Sequence, residues 1–450
     1  MNILAKKSVL SGHIRVPGSK SHTIRALLFS ALAEGTSFIR NPLPSADGLS
    51  AGRAVRLFGA DVDLSEDGVW TVRGAGRNAH LPDDVVDVGN SGSLLYFMSP
   101  LAATFPGWTV FTGDESIRTR PVLHVVDALR QLGAEADVSR PGRNAPPLLI
   151  RGPIRGGGTV VTDGRLSQYI SGIMMAAARL PGTTRIELTD PKEVPFLAMT
   201  KQWLESLGVS VEASGGFRQI AVHGPAALPA FDRTVPSDWE AVAFPLVAAL
   251  ASGSSLAVDN VDCSDSQGDR AVVGILQALG ADISEDAERA ALYVRPSRLS
   301  AELLPERTLR ANLSGFPDAI CALAVAGCFT EGTLVLEDVG VCRKKETDRI
   351  DVMGAELKKL GAEVESGADW LAVHGHAPLL ADGSPNPAFC LHGGTVESFG
   401  DHRVAMSLAC LGLGLPEGEA VTVRGAECCS VSFPRFFEAM NGIGAGFADA

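Results

Sequence analysis

Leu276-Gln277-Ala278-Leu279-Gly280-Ala281 is the stretch from which the fold is read, because the chain holds six versions of it. The others are Leu57-Phe58-Gly59-Ala60, Leu129-Arg130-Gln131-Leu132-Gly133-Ala134, Leu204-Glu205-Ser206-Leu207-Gly208-Val209, Leu357-Lys358-Lys359-Leu360-Gly361-Ala362 and Met440-Asn441-Gly442-Ile443-Gly444-Ala445. Successive marker glycines stand 74, 75, 72, 81 and 83 residues apart. Each copy ends an amphipathic pattern. Glycine suits the position just past a helix end, where φ turns positive and a Cβ is penalised. Alternating residues follow most copies, as in Ala362-Glu363-Val364-Glu365, which predicts a short strand. Chance explains one or two copies, not six at a near-constant period.

A second helix type precedes each marker. It is apolar on nearly every side, as in Ala26-Leu27-Leu28-Phe29-Ser30-Ala31-Leu32 and Ile173-Met174-Met175-Ala176-Ala177-Ala178, which places it inside its domain. Polar clusters open these helices: Ser19-Lys20-Ser21-His22, Asn90-Ser91-Gly92-Ser93, Ser167-Gln168-Tyr169, Ser237-Asp238-Trp239-Glu240, Pro317-Asp318 and Asp401-His402-Arg403. Each repeat is therefore one buried helix, one covering helix and several strands. Six such repeats in 450 residues suggest an α/β protein with two halves of three repeats, each half built around three parallel buried helices. Hinges are expected near residues 15–19 and 235–237, where Pro17 and Pro236 punctuate the chain.

Composition bounds the rest. With 46% hydrophobic residues the chain can bury a large core, which excludes a disordered protein. A net charge of −13 argues against general binding of nucleic acid or of anionic membranes. The longest uncharged run, 241–258, is interrupted by Pro245 and Gly253 and reads as a buried helix leading into a strand, not a membrane span. Eight cysteines without a CxxC pair read as small core residues in a reducing cytosol. Residues 1–10 carry Lys6 and Lys7 with no apolar run after them, so no secretory signal is expected. His374 and His376 alternate along a strand with no third ligand in step, so no metal site is expected there.

The polar openings read in part as N-caps. Capping does not account for Lys20, Arg25, Arg120, Lys345, Arg349 and Arg403, because cations at helix N-termini oppose the dipole. If the buried helices point their N-termini at one inter-domain cleft, their dipoles and these cations together would let an acidic protein bind a small polyanion.

At these residues the chain resembles the enolpyruvyl transferases, and within them the EPSP synthase family. The resemblance runs end to end. It is carried by Pro17-Gly18-Ser19-Lys20-Ser21 with Arg25, Gly89-Asn90-Ser91-Gly92-Ser93, Arg120-Pro121 and Ser167-Gln168, then by Asp318, Lys345-Glu346-Thr347-Asp348-Arg349, Asp401-His402-Arg403-Val404-Ala405-Met406 and Ser432-Phe433-Pro434. It implies a two-domain inside-out α/β barrel of six βαβαββ units. The domains would be 18–235, and 1–17 plus 236–450, with the active site in the cleft. The implied reaction moves the enolpyruvyl group of phosphoenolpyruvate to a hydroxyl of a phosphorylated acceptor, shikimate 3-phosphate in the EPSP synthases, and releases phosphate without metal or organic cofactor. A cytoplasmic monomer is expected.

By the resemblance, Lys20, Gly92, Arg120, Gln168, Arg349 and Arg403 bind phosphoenolpyruvate. Guanidinium groups suit its carboxylate and phosphate. Ser21, Arg25, Ser167, Gln168, Phe196, Asp318 and Lys345 would bind the acceptor. Addition delivers a proton to the methylene and removes one from the hydroxyl, and elimination reverses the first transfer. Glu346 with Lys20 is implied at the methylene, and Asp318 at the hydroxyl. The acceptor side departs from the pattern. Tyr96 stands where an arginine is usual, Leu166 where a first serine contacts the acceptor phosphate, Glu193 where a small hydroxyl residue is common, and Phe196 where a tyrosine is common. A paralogue with another acceptor is therefore the alternative, for example UMP as in nikkomycin- and polyoxin-type pathways, with Tyr96 and Phe196 enclosing the base. Enolpyruvyl transfer to UDP-N-acetylglucosamine fits less well, since Glu115 stands where that branch has a reactive cysteine. A non-catalytic anion-binding relative is the other alternative.

Overall fold

The computed structural model describes residues 1–65 and 68–450. Twelve α-helices follow one another among them. They are α1 (Lys20–Leu32), α2 (Ala46–Leu57), α3 (Gly92–Ala102), α4 (Leu123–Gln131), α5 (Ser167–Ala177), α6 (Val194–Ser206), α7 (Trp239–Ser252), α8 (Ala271–Ala278), α9 (Ile320–Cys328), α10 (Arg349–Lys358), α11 (His402–Gly412) and α12 (Phe436–Gly442).

The odd-numbered helices are the all-round apolar ones. Every residue of α11 is buried, as is every residue of α7 except Ser252. Even-numbered helices bury one face, as α4 does through Val125, Val126, Ala128 and Leu129. The uncharged run resolves into α7 and the strand Leu256–Asp259. All six marker glycines have positive φ, from 85° at Gly208 to 101° at Gly444. Each ends an even helix with the same pair of bonds. At Gly280, its amide donates to Gln277 O (2.9 Å) and the Ala281 amide donates to Leu276 O (3.0 Å). This closure satisfies carbonyls that would otherwise be orphaned at the helix end.

Each pair of helices belongs to one four-stranded sheet. In the repeat holding α9 and α10, Thr308–Asn312 runs parallel to Gly332–Glu337, which pairs antiparallel with Trp370–Gly375, itself antiparallel to Glu363–Ser366. That order of strands and helices is βαβαββ. The other five sheets repeat the pattern of one parallel pair and two antiparallel pairs. Two opening strands are supplied from afar in the sequence. His13–Arg15 pairs with Leu256–Asp259, and Asp232–Thr234 pairs with Glu34–Arg40.

The chain divides into two compact units, Met1–Pro17 with Pro236–Ala450, and Gly18–Val235. Each has its own core. One is built on residues such as Leu246, Leu323 and Leu408 of α7, α9 and α11, the other on Leu27, Leu95 and Ile173 of α1, α3 and α5. Burying side chains of this size contributes roughly 1.5–3 kcal/mol each. Helices inside and sheets outside give each unit the inside-out arrangement. Among the described residues no helix is long and apolar enough to cross a membrane.

Candidate active site

In the 18–235 unit, the openings of α1, α3 and α5 hold the polar residues singled out in the sequence. Lys20 begins α1, with Nζ 3.7 Å from Asp47 Oδ2 on α2. Gly92 begins α3. A Cβ there would lie 3.5 Å from Arg120 Nη1, so bare backbone faces that guanidinium. Gln168 in the first turn of α5 donates from Nε2 to Ser93 Oγ (3.1 Å), tying the openings of α3 and α5 together. Lys20, Gly92, Arg120 and Gln168 thus all stand at or beside helix openings of one unit.

Three acceptor-side residues are engaged otherwise than the sequence suggests. Arg25 is 1% exposed and spends its guanidinium inside the protein. Nε donates to Thr200 Oγ1 (2.9 Å), Nη1 to Ser21 O (3.0 Å), and Nη2 to Phe196 O (3.1 Å) and Ser171 Oγ (3.3 Å). Its Cζ also lies 4.7 Å from the centroid of the Phe97 ring, and burial lowers its pKa to about 9. Ser167 donates its amide (3.0 Å) and its hydroxyl (2.8 Å) to one oxygen of Glu193. Tyr96 is 2% exposed, its hydroxyl donates to Pro121 O (2.8 Å) and its ring packs on His124, so it offers no surface to a base. Phe196 is partly buried against the core of this unit. Ser21 lies half-buried in the first turn of α1.

In the other unit, three cations surround one carboxylate. Asp318, on the short turn before α9, accepts from Arg349 Nη1 and lies 3.7 Å from Lys345 Nζ and 3.6 Å from Arg403 Nη2. Burial alone would raise its carboxyl, but Lys345, Arg403 and Arg349 overcome that and hold it well below the ordinary carboxylate range. Arg349, 1% exposed at the start of α10, donates from Nε to Asp401 Oδ2 (2.7 Å), and from Nη2 to Asp401 Oδ1 (3.2 Å) and Glu346 Oε2 (2.7 Å). Burial disfavours its charge, yet Asp401, Glu346 and Asp318 together push its pKa up.

Asp401 also caps α11 by accepting from the Arg403 amide (2.9 Å), and Thr347 Oγ1 donates to it (3.1 Å). Arg403 Nη2 pairs with Glu240 Oε2, while Arg403 Nε is buried without a protein acceptor. Neither oxygen of Asp269 is bonded; burial first and Glu240 second push its carboxyl up, toward the neutral form beside that pair. The openings of α7, α9, α10 and α11 therefore meet in one ion network.

Sequence reasoning missed the partners: Asp47 on Lys20, Glu193 on Ser167, Asp401 on Arg349 and Glu240 on Arg403. The available signal was a charge inside an otherwise apolar helix, which Glu240 carries and Asp47 does not. His374 bonds Thr333 Oγ1 (3.0 Å) and His376 faces Glu331 (3.3 Å). Among the described residues, no group of three or more His, Cys, Asp and Glu side chains is placed to hold a metal ion.

Guanidinium–carboxylate pairs thus gather at the openings of α9, α10 and α11, with Glu240 of α7. The family model of EPSP synthase (3-phosphoshikimate 1-carboxyvinyltransferase) matches residues 4–440. Over 99% of both chains, this one is 39% identical to a 3-phosphoshikimate 1-carboxyvinyltransferase of Acetivibrio thermocellus and 38% identical to one of Methanothermobacter thermautotrophicus. The solved structure of EPSP synthase from Acinetobacter baumannii superposes with a TM-score of 0.81 at 27% identity, covering 100% of this chain and 99% of that one. The enolpyruvyl transferase NikO from Streptomyces tendae superposes with a TM-score of 0.74 at 18% identity, covering 99% and 98%, a likeness of fold alone. The chain belongs to the EPSP synthase family, and its chemistry is enolpyruvyl transfer of the EPSP synthase type.

Proposed function

We propose that the chain moves the enolpyruvyl group of phosphoenolpyruvate to a hydroxyl of a small phosphorylated acceptor, shikimate 3-phosphate, with release of phosphate. The observation that carries this reading is the trio of Lys345, Arg349 and Arg403 around Asp318. Phosphoenolpyruvate brings a carboxylate and a phosphate, and Arg349 and Arg403 supply fixed, charged forks for such groups. Lys20, Arg120 and Gln168, with the bare backbone of Gly92, are assigned to the same donor. Arg403 Nε, buried without a protein acceptor, is a donor waiting for an anion.

In the first step the acceptor oxygen bonds to C2 of phosphoenolpyruvate, the hydroxyl proton leaves, and the methylene gains a proton to become methyl. In the second, the C2–O bond to phosphate breaks, the methyl gives a proton back, and phosphate departs. Asp318, kept ionised by its three cations, takes the acceptor hydroxyl as a hydrogen-bond donor and orients it. Its lowered pKa makes it a weak base, so full proton transfer comes late, as the C–O bond forms. Glu346 and Lys20 are assigned to the methylene. The relatives are named for 3-phosphoshikimate, and shikimate 3-phosphate is the first acceptor to offer. The nucleotide alternative loses one of its two rings, because Tyr96 is sealed in the core. Release of phosphate from phosphoenolpyruvate with a panel of acceptors tests the reading. Turnover with shikimate 3-phosphate supports it, turnover with UMP alone favours the nucleotide acceptor, and silence with every acceptor favours a non-catalytic anion binder instead.

A further inference from the structure

Asp269 lies in the turn Gly268–Arg270 that leads into α8, and it is 1% exposed. Among the described residues neither of its oxygens accepts a hydrogen bond. The side chains beside it in sequence are engaged elsewhere. Gln267 accepts from the Trp239 amide (3.1 Å) and donates to Ser237 O (2.9 Å), which ties the turn to the opening of α7, and Arg270 donates outward to Glu285 Oε2 (3.1 Å). An unbonded carboxylate in such a place costs far more than a carboxylic acid, so burial favours the protonated form.

The charges that face it point the same way. Glu240 and Asp238 at the opening of α7 and Asp318 on the turn before α9 repel a charge on Asp269, and Arg403 of α11 attracts it. Burial and then Glu240 prevail, holding the carboxyl well above its ordinary range. Arg403 is already drawn to other carboxylates: its Nη2 donates to Glu240 Oε2 and lies 3.6 Å from Asp318, while its Nε is buried without a protein acceptor. An anion that reaches Arg403 competes with Glu240 for one guanidinium, and a buried carboxylate left short of a donor is costly. The acid proton of Asp269 is a donor at hand, since neither of its oxygens is engaged.

We propose that Asp269 is a positioning residue that stays a neutral carboxylic acid and donates its O–H to Glu240 as Arg403 turns to phosphoenolpyruvate. No bond to the proton is broken; Glu240 exchanges one donor for another, and the guanidinium is released to the ligand. This role rests on the assignment of Arg403 to phosphoenolpyruvate made above.

The test is infrared difference spectroscopy of the full chain against Asp269→Asn, with and without phosphoenolpyruvate and with no acceptor present, so that no turnover intervenes. Wild type at neutral pH is expected to show the carbonyl stretch of a protonated carboxyl that Asp269→Asn lacks. Phosphoenolpyruvate is expected to shift that band, because the acid gains a hydrogen bond; an acid with a merely structural role gives the band without the shift. In calorimetric titration Asp269→Asn, neutral and still able to donate an N–H, should bind phosphoenolpyruvate within about 3-fold of wild type, and Asp269→Ala about 10- to 150-fold more weakly, the scale of one hydrogen bond to a charged group. Thermal transitions establish that both variants fold, and the band with Asp269→Asn decides the matter if Asp269→Ala does not. Spectra without a wild-type band, or a band that phosphoenolpyruvate leaves in place, overturn the proposal, as does a folded Asp269→Ala that binds as tightly as wild type. Failure of wild type to bind phosphoenolpyruvate at all sinks the assignment of Arg403 and the positioning role with it, while the ligand-free band still reports by itself whether Asp269 is neutral.

Discussion

In Asp401→Ala the buried guanidinium of Arg349 loses two hydrogen bonds, at 2.7 Å and 3.2 Å, and α11 loses the cap on the Arg403 amide. Arg349 and Asp401 are 1% and 0% exposed, so solvent does not screen the loss. Removing one partner of a buried pair costs about 3–5 kcal/mol. Asp318 and Glu346 still hold the other nitrogens, which places the charge penalty near the lower end, about 3 kcal/mol. Loss of the cap adds about 1 kcal/mol. At about 2–4 °C per kcal/mol for a unit of this size, calorimetry should show the transition of the 236–450 unit lowered by about 8–16 °C. Asp401→Asn keeps an oxygen for the cap and for one bond, and should lose about half as much. Phosphoenolpyruvate affinity should fall in both variants, since Arg349 is no longer held. A transition lowered by less than about 2 °C with unchanged affinity refutes the network as described.

Three further outcomes follow from the same geometry. The folded-state pKa of Asp318 is depressed, so its ionisation contributes stability above the unfolded value, about 3.9, and that contribution is lost as pH falls below it; Asp318→Asn should flatten the acid limb of unfolding free energy against pH, and an unchanged slope counts against the assignment. Arg120→Ala should weaken phosphoenolpyruvate binding about 10- to 150-fold, the loss of one charge-assisted interaction, with a much smaller effect on acceptor affinity; equal losses for both ligands contradict its place on the donor. Tyr96→Phe should cost about 1 kcal/mol in a denaturant titration, from the bond to Pro121 O, and leave acceptor KM where it was; a KM shift above about 5-fold restores Tyr96 to the pocket.

The architecture was legible because each repeat writes its own ending. Gly59, Gly133, Gly208, Gly280, Gly361 and Gly444 all take the positive φ that their place after an amphipathic helix predicts. The opening strands of two repeats were not legible. His13–Arg15 and Asp232–Thr234 are three residues each and pair in parallel with strands far away in sequence, so no local pattern sets their register. The cations were conspicuous because they oppose helix dipoles, but their partners were not. Whether Arg25 faces a ligand or the Phe196 carbonyl depends on how α6 packs against α1 and α5, which spacing along one helix does not encode. For the same reason Glu193 reads in sequence as a lost hydroxyl, while in space it is a carboxylate seated on Ser167.

Enolpyruvyl transfer by addition and elimination passes through a methyl group, and that intermediate leaves an isotopic mark. The most direct measurement is therefore proton NMR of the full chain with phosphoenolpyruvate and shikimate 3-phosphate in deuterated water. A new pair of vinyl signals on the product, free phosphate in equal amount and deuterium entering the methylene positions are expected. Phosphate release without vinyl transfer, or transfer with no deuterium incorporated, contradicts addition and elimination at this site.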